Sequence, residues 1–207
     1  MGKSLAKFCY AGKPLIASVA GFSVQEYLAL ADMASKAGAD LIELNLGCPN
    51  TSAAGVANPI FSFDLDAMKE ILDGLASCPT PFSVKLSPYS NPAELGRTAA
   101  VIAASKAAAI VTCNTFPNGY WQDDKGAAVI GPNGGLAGTS GEAMLAISVG
   151  QVKQFRSALP EPIAVIGVGG ITKPEDVTQY LNAGASAVQV ATHIVRHGHA
   201  AIDEVIA

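Results

Sequence analysis

Six short apolar runs, each followed by a stretch with helical spacing, set the tightest limit on what this chain can become. The runs occupy residues 14–20, 41–46, 82–86, 109–113, 163–167 and 187–192, and the helical patterns 24–37, 65–76, 93–106, 142–159, 174–183 and 200–206. The runs are nearly continuously apolar rather than alternating, which is the mark of strands covered on both faces. Strands and helices in strict alternation predict a parallel sheet built from βαβ units. Within 24–37, Tyr27, Leu28, Leu30, Ala31 and Ala34 approximate a helical stripe. Ser23 and Asp64 stand where N-caps belong, and Pro174 suits a first helical turn. No linker interrupts the 207 residues, so a single domain over 1–207 is expected. The exception to the pattern is 115–140, rich in Gly, Pro and Asn and carrying Tyr120 and Trp121; an irregular segment of that length is commonly a functional cover. A shorter loop runs from Asn50 to about Phe63, and both loops follow strand ends on the same side of the sheet.

Composition narrows the function class. A net charge of -4 offers no general basic surface for nucleic acid. No apolar run reaches the length needed to span a bilayer, and residues 1–12 lack the apolar core of a secretory leader. The four cysteines, Cys9, Cys48, Cys78 and Cys113, show no CxxC spacing, so reduced thiols in a cytoplasm are expected rather than a metal site or disulfide framework. His193, His197 and His199 are read as solvated side chains, not as metal ligands.

The chemistry-bearing residues gather where the apolar runs end. Asn45-Leu46-Gly47-Cys48-Pro49-Asn50 closes the second run with two amides, a thiol and a stiff turn. Paired amide donors and acceptors suit a planar polar ligand, and a thiol between them can move a proton or attack as a nucleophile. Lys85 interrupts the apolar run Phe82-Ser83-Val84-Lys85-Leu86, so its ammonium must face a cavity or a partner, because an unpaired buried charge is costly. Such a charge could stabilise an electron-rich oxygen or nitrogen on a bound cofactor. Thr112-Cys113-Asn114-Thr115 ends the fourth run with a further amide and hydroxyl, and Cys113 reads as a small wall residue. Gly167-Val168-Gly169-Gly170 leads through Thr172 toward Pro174, and the following run ends in Gln189-Val190-Ala191-Thr192. Backbone amides freed by successive glycines, next to a second strand end, favour phosphate over a plain turn. The spacing does not fit the dinucleotide pattern GxGxxG.

Taken together these segments resemble the class 1 (soluble, cysteine-base) dihydroorotate dehydrogenases. The resemblance rests on Glu43 to Asn50, Val84-Lys85-Leu86-Ser87-Pro88-Tyr89, Val111 to Thr115, Gly134-Gly135-Leu136-Ala137-Gly138, Gly167 to Gly170 and Val188 to Thr192, in family order. It implies an FMN-binding (β/α)₈ (TIM) barrel that oxidises dihydroorotate to orotate in pyrimidine synthesis, passing a hydride from C6 of the substrate to N5 of FMN. Carried over, Cys48 is the catalytic base for the C5 proton, and Asn45, Asn50, Asn114 and Thr115 hold the substrate. Lys85, Asn45 and Cys113 lie against the flavin, while Gly138, Gly169, Gly170, Ala191 and Thr192 take the FMN phosphate. The 85–89 and 112 regions look most like the fumarate-using homodimers. Ala191 departs from the glycine usual before the threonine, placing a Cβ where backbone would approach a phosphate.

Length sets this chain apart from the family pattern. A full barrel needs about 250 residues and eight strands, whereas six strand–helix units are counted here. The expectation is a partial barrel belonging to a longer enzyme. The alternatives are a non-catalytic flavin- or phosphate-binding module and a dihydropyrimidine-type flavin oxidoreductase.

Overall fold

The computed structural model describes residues 12–49, 52–53, 56–57 and 60–206. Its central sheet contains β1 (Ile16–Val19), β2 (Leu41–Asn45), β3 (Phe82–Leu86), β4 (Ala109–Thr112), β5 (Ala164–Val168) and β6 (Ala187–Gln189). Every neighbour in the sheet is also the next sheet strand in sequence, and every pairing is parallel. The crossovers carry α1 (Val24–Ala37), α2 (Leu65–Gly74), α3 (Pro92–Ala103), α4 (Leu145–Ala158) and α5 (Pro174–Asn182), and α6 (Thr192–His197) and α7 (Ala200–Ile206) follow β6. Parallel crossovers are right-handed almost without exception, so an unbroken strand order puts the helices on one face. The sheet curls around the other. In a flat sheet, the four strand spacings from β2 to β6 would separate them by about 19 Å. Here Gln189 on β6 donates a 2.5 Å hydrogen bond to Glu43 on β2. The chain forms a curled half-barrel, part of a TIM architecture; the alternation predicted its parallel sheet and the family resemblance its barrel form.

Strand periodicity decides what each face receives. Ile42, Leu44, Phe82, Val84, Leu86, Ile110 and Val165 are buried and join the helix-side core with Tyr27, Met68, Ile71, Ile102, Phe155 and Tyr180. Each such side chain contributes about 1.5–3 kcal/mol by leaving water. The residues of opposite parity, Glu43, Asn45, Lys85 and Gln189, fall on the inner face. Helix starts follow their caps: Ser23 Oγ accepts from Glu26 N at 3.2 Å, Asp64 Oδ1 from Ala67 N at 3.0 Å, and Asn91 Oδ1 from Ala93 N at 3.0 Å.

Three local differences from the sequence expectation have physical causes. The last strand stops at Gln189 rather than 192, because its partner β5 ends at Val168 and offers nothing further to pair with. Gly169 and Gly170 then turn away with positive φ. The irregular 115–140 stretch contains an antiparallel hairpin, Phe116–Tyr120 against Leu136–Thr139, masked in sequence by Pro117 and Gly119. Nor is His193 solvated: its side chain is 9% exposed, bonds Glu204 Oε2 at 2.7 Å and stacks on His197 at 4.5 Å.

Candidate functional site

At the carboxyl ends of β3 to β6 lies a cavity of about 200 Å³, walled in part by Lys85, Cys113, Asn114, Thr115, Gly169 and Gly170. Gln189, Ala191, Thr192, His193, Arg196 and His197 also line it. Parallel strands carry their chemistry at this end because the βα loops open there.

The lysine inside β3 has both of the neighbours its position demands. Lys85 Nζ lies 3.6 Å from Glu43 Oε1 and donates to Gln189 Oε1 at 3.4 Å. Its side chain is 21% exposed and that of Glu43 only 6%, so the carboxylate is buried and the ammonium reaches the cavity.

The amides meet at the ends of β2 and β4, the strands that flank β3. Asn114 Nδ2 donates to Asn45 Oδ1 at 2.8 Å, and Asn114 Oδ1 accepts from Thr115 N at 2.8 Å. The Asn45 carbonyl in turn accepts from the Tyr27 hydroxyl at 2.6 Å. Burial pushes that hydroxyl up from 10.0 to about 12, against a backbone hydrogen bond at Gly21 and with a smaller push from the charge of Cys48. Cys48 is half-buried beside this group. Asn45 and Cys48 do not line the cavity themselves; Asn45 joins it through Asn114. Asn50 lies outside the described residues. Cys113 is buried with Sγ 3.1 Å from Ser148 Oγ, and burial pushes its thiol up despite that hydrogen bond.

The glycine pair has a packing reason as well as a place in the wall. A Cβ on Gly170 would come within 2.6 Å of Leu145 N, and one on Gly169 within 2.5 Å of Ser148 Oγ. The missing side chains therefore let the start of α4 press against the loop. Tyr180 Oη donates to Gly169 O at 2.6 Å and fixes the loop from below. Gly138 sits elsewhere, where an added Cβ would collide with Thr115 Oγ1 at 1.9 Å, so it allows the hairpin to lie on Thr115. Ala191 and Thr192 both line the cavity, Ala191 as the residue before α6.

Sequence reasoning quoted Glu43 and Gln189 only as parts of motifs, with no role of their own, and passed over Ser148 and Arg196. Arg196 follows Thr192 by four positions, which puts both on one helical face. That spacing would have been readable had the helix been expected to begin at 192. Among the described residues no helix is long and apolar enough to cross a membrane.

Comparison with known proteins places this sequence in a family. Residues 4–207 match the sequence profile described as dihydroorotate dehydrogenase. A dihydroorotate dehydrogenase (fumarate) of Trypanosoma cruzi is 35% identical over 196 residues, covering 91% of this chain and 60% of that protein. Its Saccharomyces cerevisiae counterpart is 33% identical over 184 residues, 87% of this chain and 57% of its own length. The catalytic subunit of a dihydroorotate dehydrogenase B (NAD(+)) of Bacillus thuringiensis is 38% identical over 184 residues, 86% of this chain and 56% of its own. The chain thus spans a little under three fifths to three fifths of these relatives. With the profile matched over nearly its whole length, and relatives of this name at 33–38% identity over most of the chain, the chain belongs to the dihydroorotate dehydrogenase family.

Proposed function

We propose that this chain carries the flavin- and substrate-binding part of an enzyme that oxidises dihydroorotate to orotate in pyrimidine synthesis. The observation that carries the reading is one cavity lined by Lys85, the Asn114–Thr115 amide group, Gly169, Gly170, Thr192 and Arg196 together. This donor set fits FMN. Glycine amides, a hydroxyl and a guanidinium suit a phosphate, and an ammonium suits the electron-rich edge of a flavin ring. Bound FMN would supply the acceptor for the hydride leaving C6 of the substrate.

The protein's own residues orient the reaction and handle its proton. Asn45 and Asn114, locked to each other and joined by Thr115, present amide edges to the pyrimidine ring and its carboxylate, with Asn50 as a further contact. Cys48, half-buried and three residues beyond Asn45 at the same strand end, takes the C5 proton as general base. Cys113 closes the wall behind the ring, Ala191 supports the phosphate end, and Gly138 lets the hairpin lie on Thr115. A thiol beside an ordered amide is a suitable base only as thiolate.

The remaining features of the proposal concern acceptor and assembly. Fumarate is the proposed electron acceptor, in line with the names of several relatives. A homodimer is proposed through the hairpin face, where Phe116, Tyr120, Trp121 and Leu136 are exposed together. A patch of large apolar residues on one hairpin suits a protein interface better than open water. The proposed compartment is the cytoplasm.

Anaerobic visible spectroscopy tests the reading. Protein reconstituted with FMN is expected to show bound-flavin absorbance that bleaches on adding dihydroorotate and recovers with fumarate. Bound flavin that ignores dihydroorotate but bleaches with dihydrouracil would reassign the substrate. Protein that fails to retain FMN would remove the reading.

A further inference from the structure

Three side chains from three strands meet on the inner face of the curl. Glu43 lies on β2, Lys85 on β3 and Gln189 on β6, and they close a ring. Gln189 Nε2 donates to Glu43 Oε2 at 2.5 Å, Lys85 Nζ donates to Gln189 Oε1 at 3.4 Å, and Nζ stands 3.6 Å from Glu43 Oε1. The amide orientation of Gln189 follows from its partners, since only its oxygen can accept from an ammonium and only its nitrogen can donate to a carboxylate.

We propose that Glu43 and Gln189 are positioning residues that hold the Lys85 ammonium at the cavity wall, where its charge acts on the bound cofactor; the cofactor half of this inference rests on the flavin reading above. The strand register explains the aim of the lysine. Asn45 pairs with Lys85 and Glu43 with Ser83, so Glu43 sits one pleat below Lys85 on the neighbouring strand. A free lysine with a four-carbon stem would carry its head toward water. This one is drawn instead toward a buried carboxylate and an amide oxygen.

The geometry also leaves the ammonium available. An ammonium has three donors, and contacts of 3.4 and 3.6 Å engage it only loosely. It is restrained yet can still donate to a ligand. Glu43 is the tighter member, because its own carboxylate accepts from Gln189 at 2.5 Å and is almost fully buried. The carboxylate therefore offsets the lysine's charge from a fixed place. A flavin that gains negative charge on reduction would feel the balance of the two.

The first test needs no cofactor. Acylation of Lys85 by an amine-directed reagent is followed by mass spectrometry in flavin-free protein, for the unaltered chain, Glu43→Gln and Gln189→Leu. Loss of the anion is expected to free the amine and accelerate acylation several-fold in Glu43→Gln, with a smaller rise in Gln189→Leu. Equal rates in all three folded proteins would overturn the proposal. Should Glu43→Gln not fold, the double variant Glu43→Gln/Lys85→Met decides. Recovery of folding supports an uncompensated lysine as the cause, and continued misfolding shows that Glu43 serves the fold alone.

The second test uses FMN-loaded protein. Glu43→Gln is expected to raise the flavin midpoint potential by about 30 mV, the equivalent of a tenfold change for a two-electron couple. An unchanged potential in a folded, flavin-bound variant would overturn the action on the cofactor. If the unaltered protein retains no flavin, the reading of the cavity fails, while the acylation rates still decide whether Glu43 and Gln189 hold Lys85.

Discussion

Asn114 is engaged at both ends of its amide, donating to Asn45 Oδ1 at 2.8 Å and accepting from Thr115 N at 2.8 Å. No neutral amide could be turned around here without losing both bonds. Asn114→Asp keeps the acceptor and removes the donor, setting two oxygens against each other. The loss of a part-buried donor costs about 1–3 kcal/mol. For a chain of this size that lowers the melting temperature by about 2–4 °C per kcal/mol. Calorimetry should show the drop. Titration should show orotate affinity falling together with it, whereas Asn114→Gln, too long for the same fit, should lose affinity with less loss of stability.

The glycine loop can be probed against an internal control. Gly170 has φ +75, and a Cβ there would press on backbone at Leu145 N from 2.6 Å. Gly170→Ala should destabilise by about 1–3 kcal/mol through strain and overpacking. Gly96 lies exposed in α3 with nothing within 4 Å of its would-be Cβ. Gly96→Ala should stabilise by about 0.8–1 kcal/mol. Urea midpoints of the two variants should therefore move in opposite directions, and only Gly170→Ala should reduce FMN retention.

The thiols should separate by accessibility and by role. Cys48 is half-buried, whereas Cys113 is buried, bonded to Ser148 and has its thiol pushed up by burial. A thiolate reagent at neutral pH should label Cys48 well before Cys113. Cys48→Ala should slow flavin bleaching by dihydroorotate by about 10²–10⁴-fold, the usual reach of a general base. It should leave the bound-flavin spectrum intact. Equal bleaching rates would remove Cys48 from the mechanism.

Buried tyrosines predict a stability loss in alkali. Burial raises Tyr27 and Tyr89 from 10.0 to about 12 each. Between these values the folded chain keeps a proton that the unfolded chain has released, so the slope of stability with pH is negative there. Their contribution is complete below pH 10, declines by about 1.4 kcal/mol per pH unit for each tyrosine, and is gone above pH 12. Urea unfolding at a series of alkaline pH values should show this decline. Tyr27→Phe should make it shallower, at the cost of the 2.6 Å bond to Asn45 O.

What the sequence displayed and what it concealed divide along local and non-local lines. The strand–helix order, the caps at Ser23 and Asp64 and the Pro174 start depend on near neighbours, and they are visible in any short window. Lys85 announced itself because a charge within an apolar run needs a partner. Its partners did not, since Glu43 looks like an ordinary polar residue in β2 and Gln189 lies 104 positions beyond the lysine. The hairpin after Thr115 was hidden for another reason. Pro117 and Gly119 are poor strand formers, and pairing with Leu136–Thr139 overrode that weak local preference. Arg196 escaped because the end of β6 depends on where β5 runs out, a fact about a neighbouring strand.

The curl has a consequence in time. Glu43 and Gln189 touch, yet 146 residues separate them along the chain. At a synthesis rate of about 5–20 residues per second, Glu43 leaves the ribosome about 7–30 s before the amide that will bind it. During that interval β2 and β3 can pair, but their acid and lysine face an unfinished hollow. Contacts between such distant partners are the slow ones to form. The ring they close is thus a late event in the assembly of this curl, and its formation reports that β6 has joined the sheet.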